Sequence, residues 1–357
     1  MRILARLVLA SLLAGSLQSA AVAQPKSGGT LVYGVTGEPP STDCHAITTY
    51  AAVHVLAPHY SLLLKVDQDS YPKLKPDLAE SWNVSADGLT YTFKIRGGVQ
   101  FHDGSPLTSK DIKATFDRLR APPKGIVSIR QALFADIVSI DAPDATTVVM
   151  KLKAPDASFL GTLALPYNCV YSADRLAQDS TFPSKTVMGS GPFVFVEHQA
   201  GSHWIGKRFD QYFLKGRPYL DGFRAVFIKS SAVVTALQGG QVQAEFRSIS
   251  PGERTQLQAA LKDRIVVQEA PWVCKVDLFF NTETAPFNNP KVRQALFYAF
   301  NQEDFLKAVV GEPENYKLCK AMFICGSPFE TTAGMDDKLE SNFKKAREVL
   351  AEAKYDG

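Results

Sequence analysis

Six histidines and five cysteines are the residues of this chain best suited to covalent or metal chemistry. The histidines are His45, His54, His59, His102, His198 and His203, and none belongs to an H-E-x-x-H pattern. His54 and His59 are five apart, which puts them on different faces of a helix. The cysteines Cys44, Cys169, Cys274, Cys319 and Cys325 form no C-x-x-C, so neither a thioredoxin-like nor a zinc-ribbon site is indicated. Cys44 and His45 are adjacent, but a nucleophile and its base meet in space, and adjacency alone does not make a pair. The run Gly189-Ser190-Gly191-Pro192 is a loop punctuator, not the G-x-S-x-G of a nucleophile elbow. No Walker A is present, and no G-x-G-x-x-G opens a helix after a strand.

The elements that must position such residues mix strands and helices along the whole chain. Leu89, Tyr91, Phe93 and Ile95 alternate with Thr90, Thr92 and Lys94, the period of a half-buried strand. Further strands are expected at Thr30–Val35, Thr146–Leu152, Phe193–Val196, Phe223–Ile228 and Leu278–Phe280. Thr108 and Asp111 form a capping box ahead of a helix with Ile112, Phe116 and Leu119 on one face, ended by Pro122-Pro123. Ser250 and Glu253 form a second, with Pro251 at the first helical position and an apolar stripe of Leu257 and Leu261. Asn289-Pro290 opens a helix through Val292, Leu296 and Phe300, and a last helix carries Phe343, Ala346, Leu350 and Ala353. Asp87-Gly88 reads as a hairpin turn and His102-Asp103-Gly104 as a structural turn. The closing Asp356-Gly357 announces a continuation, so the chain reads as a fragment.

At 357 residues, 45% hydrophobic and 21% charged, the chain is an ordinary globular protein too long for one simple core. Its lysines and arginines are scattered, which leaves no nucleic-acid footprint. Residues 1–23 read as a signal peptide: Arg2 and Arg6, the apolar Leu7–Ala14, then the small-x-small site Ala21-Val22-Ala23. The apolar run is shorter than the ~18 residues a membrane span needs. Without Arg2 and Arg6 the formal charge of +3 becomes +1. Ser16 occupies the place of a lipidated cysteine, so a free periplasmic protein is expected. In that oxidising compartment disulfides form, and five cysteines leave an odd thiol. Cys319 and Cys325 are close enough to clip a loop, while the other pairings stay open.

Several segments taken together resemble a known family. They are Pro76-Asp77-Leu78-Ala79-Glu80-Ser81-Trp82, Val99-Gln100-Phe101-His102-Asp103-Gly104, Gly189-Ser190-Gly191-Pro192-Phe193 and Arg217-Pro218-Tyr219-Leu220-Asp221-Gly222. Later come Phe280-Asn281, Pro286-Phe287, Val292-Arg293-Gln294-Ala295-Leu296 and the helix from Lys345 to Ala353. In this order they resemble solute-binding protein family 5, the dipeptide and oligopeptide receptors of ABC importers.

The resemblance implies an α/β periplasmic-binding fold of type II, with two lobes that close on a ligand. Lobe I would comprise 24–65 and 188–277, an extra family-typical domain 66–187, and the start of lobe II 278–357. It also implies a monomeric receptor without catalysis, cofactor or metal, working with an inner-membrane permease and its ATPases. Carried over by position, the ligand contacts would be Tyr50, Ala51 and Val53 early in the chain, then Phe246 and Arg247 after the Gly239-Gly240 turn, then Trp272 and Cys274 on a crossing strand. Cys274 matches a disulfide-forming position whose family partner lies beyond residue 357. The chain departs from the pattern at Thr42-Asp43-Cys44-His45, where many members have Leu-Asp-Pro-His. Relatives bind peptides, opines, nickel complexes, haem or oligosaccharides. An extracytoplasmic hydrolase using Cys or His is the alternative from another class.

Overall fold

The computed structural model describes residues 25–355 apart from Tyr71, Ser248, 269–276, Ile324 and 327–329. The residues form two compact units. One runs up to Val233 and takes in Gly239–Glu245; the other comprises Val234–Gln238 and the chain from Phe246 on.

The first unit is built on two four-stranded sheets. In one, β1 (Thr30–Val35) pairs in parallel with a strand from much later in the chain, Gly222–Phe227. That strand continues antiparallel through His203–Arg208 to Phe193–Gln199 at the other edge. The residues after Gln24 and the return segment therefore share one sheet. A short helix, α1 (Tyr50–Leu56), follows β1, and a two-stranded ribbon joins β2 (Leu64–Val66) to β3 (Leu74–Pro76). The second sheet is antiparallel throughout: β4 (Ala79–Val84), β5 (Thr90–Ile95), β6 (Ile137–Asp144) and β7 (Thr147–Leu152), in the order β4-β5-β7-β6.

The alternation read in the sequence is what buries this second sheet. Tyr91, Phe93 and Ile95 of β5 and Val148, Met150 and Leu152 of β7 face the core, while Lys94 and Lys151 face solvent. Asp87-Gly88 makes the β4–β5 turn, with Gly88 at φ +71° and its N–H donating to the Ser85 carbonyl. Across the buried face lies α2 (Ser109–Arg120), whose Ile112, Phe116 and Leu119 are fully buried. Its expected capping box is present: Thr108 N–H donates to the Asp111 carboxylate at 2.7 Å. α3 (Phe159–Leu163) and α4 (Ala173–Gln178) then lead to β8 (Phe193–Gln199), β9 (His203–Arg208) and β10 (Gly222–Phe227) of the first sheet.

After α5 (Val233–Gln238), the second unit is helical. α6 (Pro251–Leu261) starts at the expected Ser250–Glu253 box and buries Leu257 and Leu261. α7 (Pro290–Ala299), capped by Asn289, packs on α9 (Phe343–Glu352) through Val292, Ala295, Ala346 and Val349, with a Lys291–Glu352 ion pair of 2.7 Å. α8 (Gln302–Val309) lies between them in sequence. Beyond it, Cys319 and Cys325 are disulfide-bonded, as their spacing allows.

Two local expectations fail. Leu278–Phe280 is not a strand, and Leu278 and Phe279 are exposed. A β-rich triplet becomes a strand only when a neighbour supplies ladder bonds, and no described residue pairs with it. Phe343, expected on the apolar stripe of the last helix, is exposed; Ala346 and Val349 carry the contact with α7.

Candidate ligand-binding site

α1 carries three of the expected ligand contacts. Tyr50 is 49% exposed at its first position, and Ala51 and Val53 are half-buried. Seven residues are too few to hold a helix by their own bonds, so ties at each end fix it. Thr49 caps it by accepting from Ala51 N–H at 3.3 Å. At the far end the Tyr33 hydroxyl donates to the His54 carbonyl at 2.6 Å.

Immediately before α1 lies a buried polar knot. Asp43 and Arg118, 7% and 4% exposed at their side chains, form an ion pair of 2.6 Å with a second contact at 3.3 Å. Asp43 also accepts from the Tyr171 hydroxyl at 3.1 Å and from His45 N–H at 3.0 Å. Arg118 donates to His45 Nδ1 at 2.8 Å, so the ring proton sits on Nε2 and is donated to the Cys169 carbonyl at 3.1 Å. Burial lowers the His45 pKa to about 3, against the opposing pull of Asp43. Cys44 and Cys169 are disulfide-bonded across this knot, 125 residues apart. Cys44 therefore offers no thiolate, which removes it as a nucleophile for the hydrolase alternative.

A second buried cluster explains two of the sequence motifs. The His102 ring bridges Gly189 N–H at 3.4 Å and the Gly191 carbonyl at 3.0 Å, while the backbone N–H of His102 donates to the Gly189 carbonyl at 2.8 Å. His59 receives Trp204 Nε1–H at 2.9 Å and donates to the Phe193 carbonyl at 2.7 Å. Burial lowers its pKa to about 3 as well. Gly189 and Gly191 must be glycine, because a Cβ would lie 2.2 Å from the His59 carbonyl oxygen or 2.5 Å from the Tyr60 nitrogen. His102 thus has the structural role its turn suggested.

Of the other expected contacts, Phe246 and Arg247 belong to the second unit and are exposed. Trp272 and Cys274 fall outside the described residues. Sequence reasoning brought together Tyr50, Ala51 and Val53 but missed the association of Asp43, Arg118 and Tyr171. The one signal for them was the anomalous Cys44. Among the described residues no cluster of three or more His, Cys, Asp or Glu is arranged to hold a metal ion, and no helix is long and apolar enough to cross a membrane.

The chain belongs to the bacterial extracellular solute-binding proteins, family 5, whose middle-region model matches residues 73–357. It is 32% identical to oligopeptide-binding protein AppA of Bacillus subtilis over 342 residues, covering 92% of this chain and 60% of AppA. The solved structure of AppA with a nonapeptide matches with a TM-score of 0.73 over 92% of this chain and 65% of that one, at 29% identity. Glutathione-binding protein GsiB of Pectobacterium atrosepticum is 33% identical over 250 residues, 70% of this chain and 47% of GsiB. AgaA from A. tumefacien R10, solved with agropinic acid, matches with a TM-score of 0.74 and 28% identity over 91% of this chain and 64% of that one. The chain thus spans about half the length of the curated relatives it matches, and its fold is the type II periplasmic-binding α/β fold.

Proposed function

We propose that this protein is an extracytoplasmic receptor that binds a peptide or peptide-like solute and delivers it to the permease and ATPases of an ABC importer. The observation that carries this reading is the likeness to AppA over 92% of the chain, in sequence and in fold together. In this reading the protein is a periplasmic monomer exported by residues 1–23, and it captures its ligand without turnover. Lobe I takes 24–65 and 188–277, 66–187 is the extra domain, and 278–357 starts lobe II. The pairing of β1 with β10 supports that grouping. The ligand contacts assigned are Tyr50, Ala51, Val53, Phe246, Arg247, Trp272 and Cys274. An opine-like acid is the second reading, favoured by the likeness to AgaA.

The test is thermal melting of the complete mature protein against peptides of two to nine residues, glutathione and agropinic acid. A ligand a hundredfold above its Kd stabilises the native state by about 2.7 kcal/mol, which raises the melting temperature. Peptides raising it select the first reading, and agropinic acid alone the second. A flat profile across the whole set removes both. Within this reading, Arg247→Ala should weaken a ligand with a free carboxylate by roughly ten- to a hundredfold and spare its amide, because a hydrogen bond to a charged group is worth about 1.5–3 kcal/mol. Isothermal titration of the acid and amide pair measures this, and unchanged affinity in the variant would return Arg247 to the solvated surface.

A further inference from the structure

Four of the five carbonyls from Cys44 to Thr48, the segment that feeds α1, are held by just three other residues. Arg130 donates to the Cys44 carbonyl at 2.5 Å and to the Ile47 carbonyl at 2.9 Å. Its neighbour Ile129 donates its N–H to the His45 carbonyl at 3.1 Å. The Tyr167 hydroxyl donates to the Thr48 carbonyl at 2.7 Å. The Arg130 guanidinium also lies over the Tyr167 ring, 4.7 Å from its centroid, so the two residues brace each other.

This arrangement is costly for a segment that needs only to be covered. Arg130 is 5% exposed, and among the described residues no carboxylate lies within ion-pair distance of it. The neighbouring ion pair uses the single carboxylate of Asp43 for Arg118. A buried guanidinium whose two terminal nitrogens bond carbonyls, while its Nε has no hydrogen-bond partner, gives up hydration that an apolar side chain would never need. In return it gives a planar fork that fixes two carbonyls at set positions. The fixed segment ends one residue before the Thr49 cap, so the clamp determines where the first turn of α1, with Tyr50 and Ala51, is presented.

We infer that Arg130 and Tyr167 are positioning residues that hold the start of α1 in its ligand-binding place. This rests on the assignment of Tyr50, Ala51 and Val53 as ligand contacts. The clamp acts through the backbone, so it sets affinity without touching the ligand.

Tyr167→Phe in the complete protein is the test, because it keeps the ring under Arg130 and removes one hydroxyl. Two readouts apply: hydrogen exchange of the ligand-free protein, and affinity for whichever of glutathione, a nonapeptide or agropinic acid the wild type binds. The amides of Ala52–Ala57 should exchange severalfold faster while those of β5 and β7 keep wild-type protection. Kd should rise roughly three- to tenfold with the melting temperature close to wild type. Arg130→Lys, which keeps the charge but loses the fork, should show the same pattern more strongly. Unchanged exchange at Ala52–Ala57 in both variants overturns the clamp. Faster exchange with unchanged affinity overturns its link to the ligand. If the wild type binds nothing in the whole set of peptides of two to nine residues, glutathione and agropinic acid, it is the receptor reading that fails, and exchange still decides the clamp.

Discussion

Arg118→Leu should cost about 3–5 kcal/mol of unfolding free energy, the usual penalty for removing one partner of a buried ion pair. Asp43 would remain a carboxylate in the core, hydrogen-bonded by the Tyr171 hydroxyl and the His45 N–H but without its ion-pair partner. His45 Nδ1 would lose its donor at the same time. Asp43→Asn should also destabilise, since it leaves Arg118 charged and buried. The double variant should lose clearly less than the two singles together, because each single change strands a charge that the double removes. Urea denaturation of the disulfide-intact complete protein measures all three. A loss below ~1 kcal/mol for Arg118→Leu would mean that the pair is solvated like a surface salt bridge. The Cys44–Cys169 disulfide closes a long loop over the same residues, so removing it by Cys44→Ala with Cys169→Ala should couple to Arg118→Leu and not add to it.

The knot was nearly invisible in the sequence, and the reason is physical. Local periodicity reports which face of an element is apolar, so it found Ile112, Phe116 and Leu119 of α2 and the inward residues of β5. Capping boxes are equally local, and both formed where expected. Arg118 sits in the last turn of α2, where a cation reads as a favourable partner for the helix dipole in solvent. Only the approach of residues 75 and 53 positions away, Asp43 and Tyr171, makes it a core residue. Likewise Cys44 registered as a break in a familiar pattern, but nothing near it singles out Cys169 as its partner. The same limit applies to Arg130 and Tyr167, whose partners are backbone carbonyls that carry no sequence signature. The family resemblance, by contrast, was legible because it rests on ordered local motifs. Two of these, around His102 and Gly189–Gly191, turn out to be one interlocked contact.

The second large effect is a loss of stability on acidification. His45 and His59 are fully buried and neutral, and burial lowers each pKa from 6.5 to about 3. Above pH 6.5 neither the folded nor the unfolded chain binds these protons, and the native state keeps its full stability. Below that, the unfolded chain takes up one proton per histidine while the folded chain takes up none until near pH 3. The unfolded state then binds more protons, so stability falls as pH falls, by about 1.4 kcal/mol per pH unit per histidine. By pH 4.5 the two together should cost on the order of 5 kcal/mol. His102, lowered by burial beside His59, adds in the same direction. Asp77 and Asp111 have raised pKa values and oppose it, because their folded forms gain protons first. Near His45 the fixed charges are Asp43, Arg118 and Arg130, and the two guanidiniums work with burial to keep the ring neutral. Urea unfolding from pH 7 to 4.5 gives the slope, and His45→Gln isolates one contribution. Glutamine keeps one donor for the Cys169 carbonyl and one acceptor for Arg118 without titrating. Its slope should be shallower than wild type by about 1.4 kcal/mol per pH unit. An unchanged slope would mean that His45 already takes up its proton in the folded protein, and the knot would then have to hold a third cation.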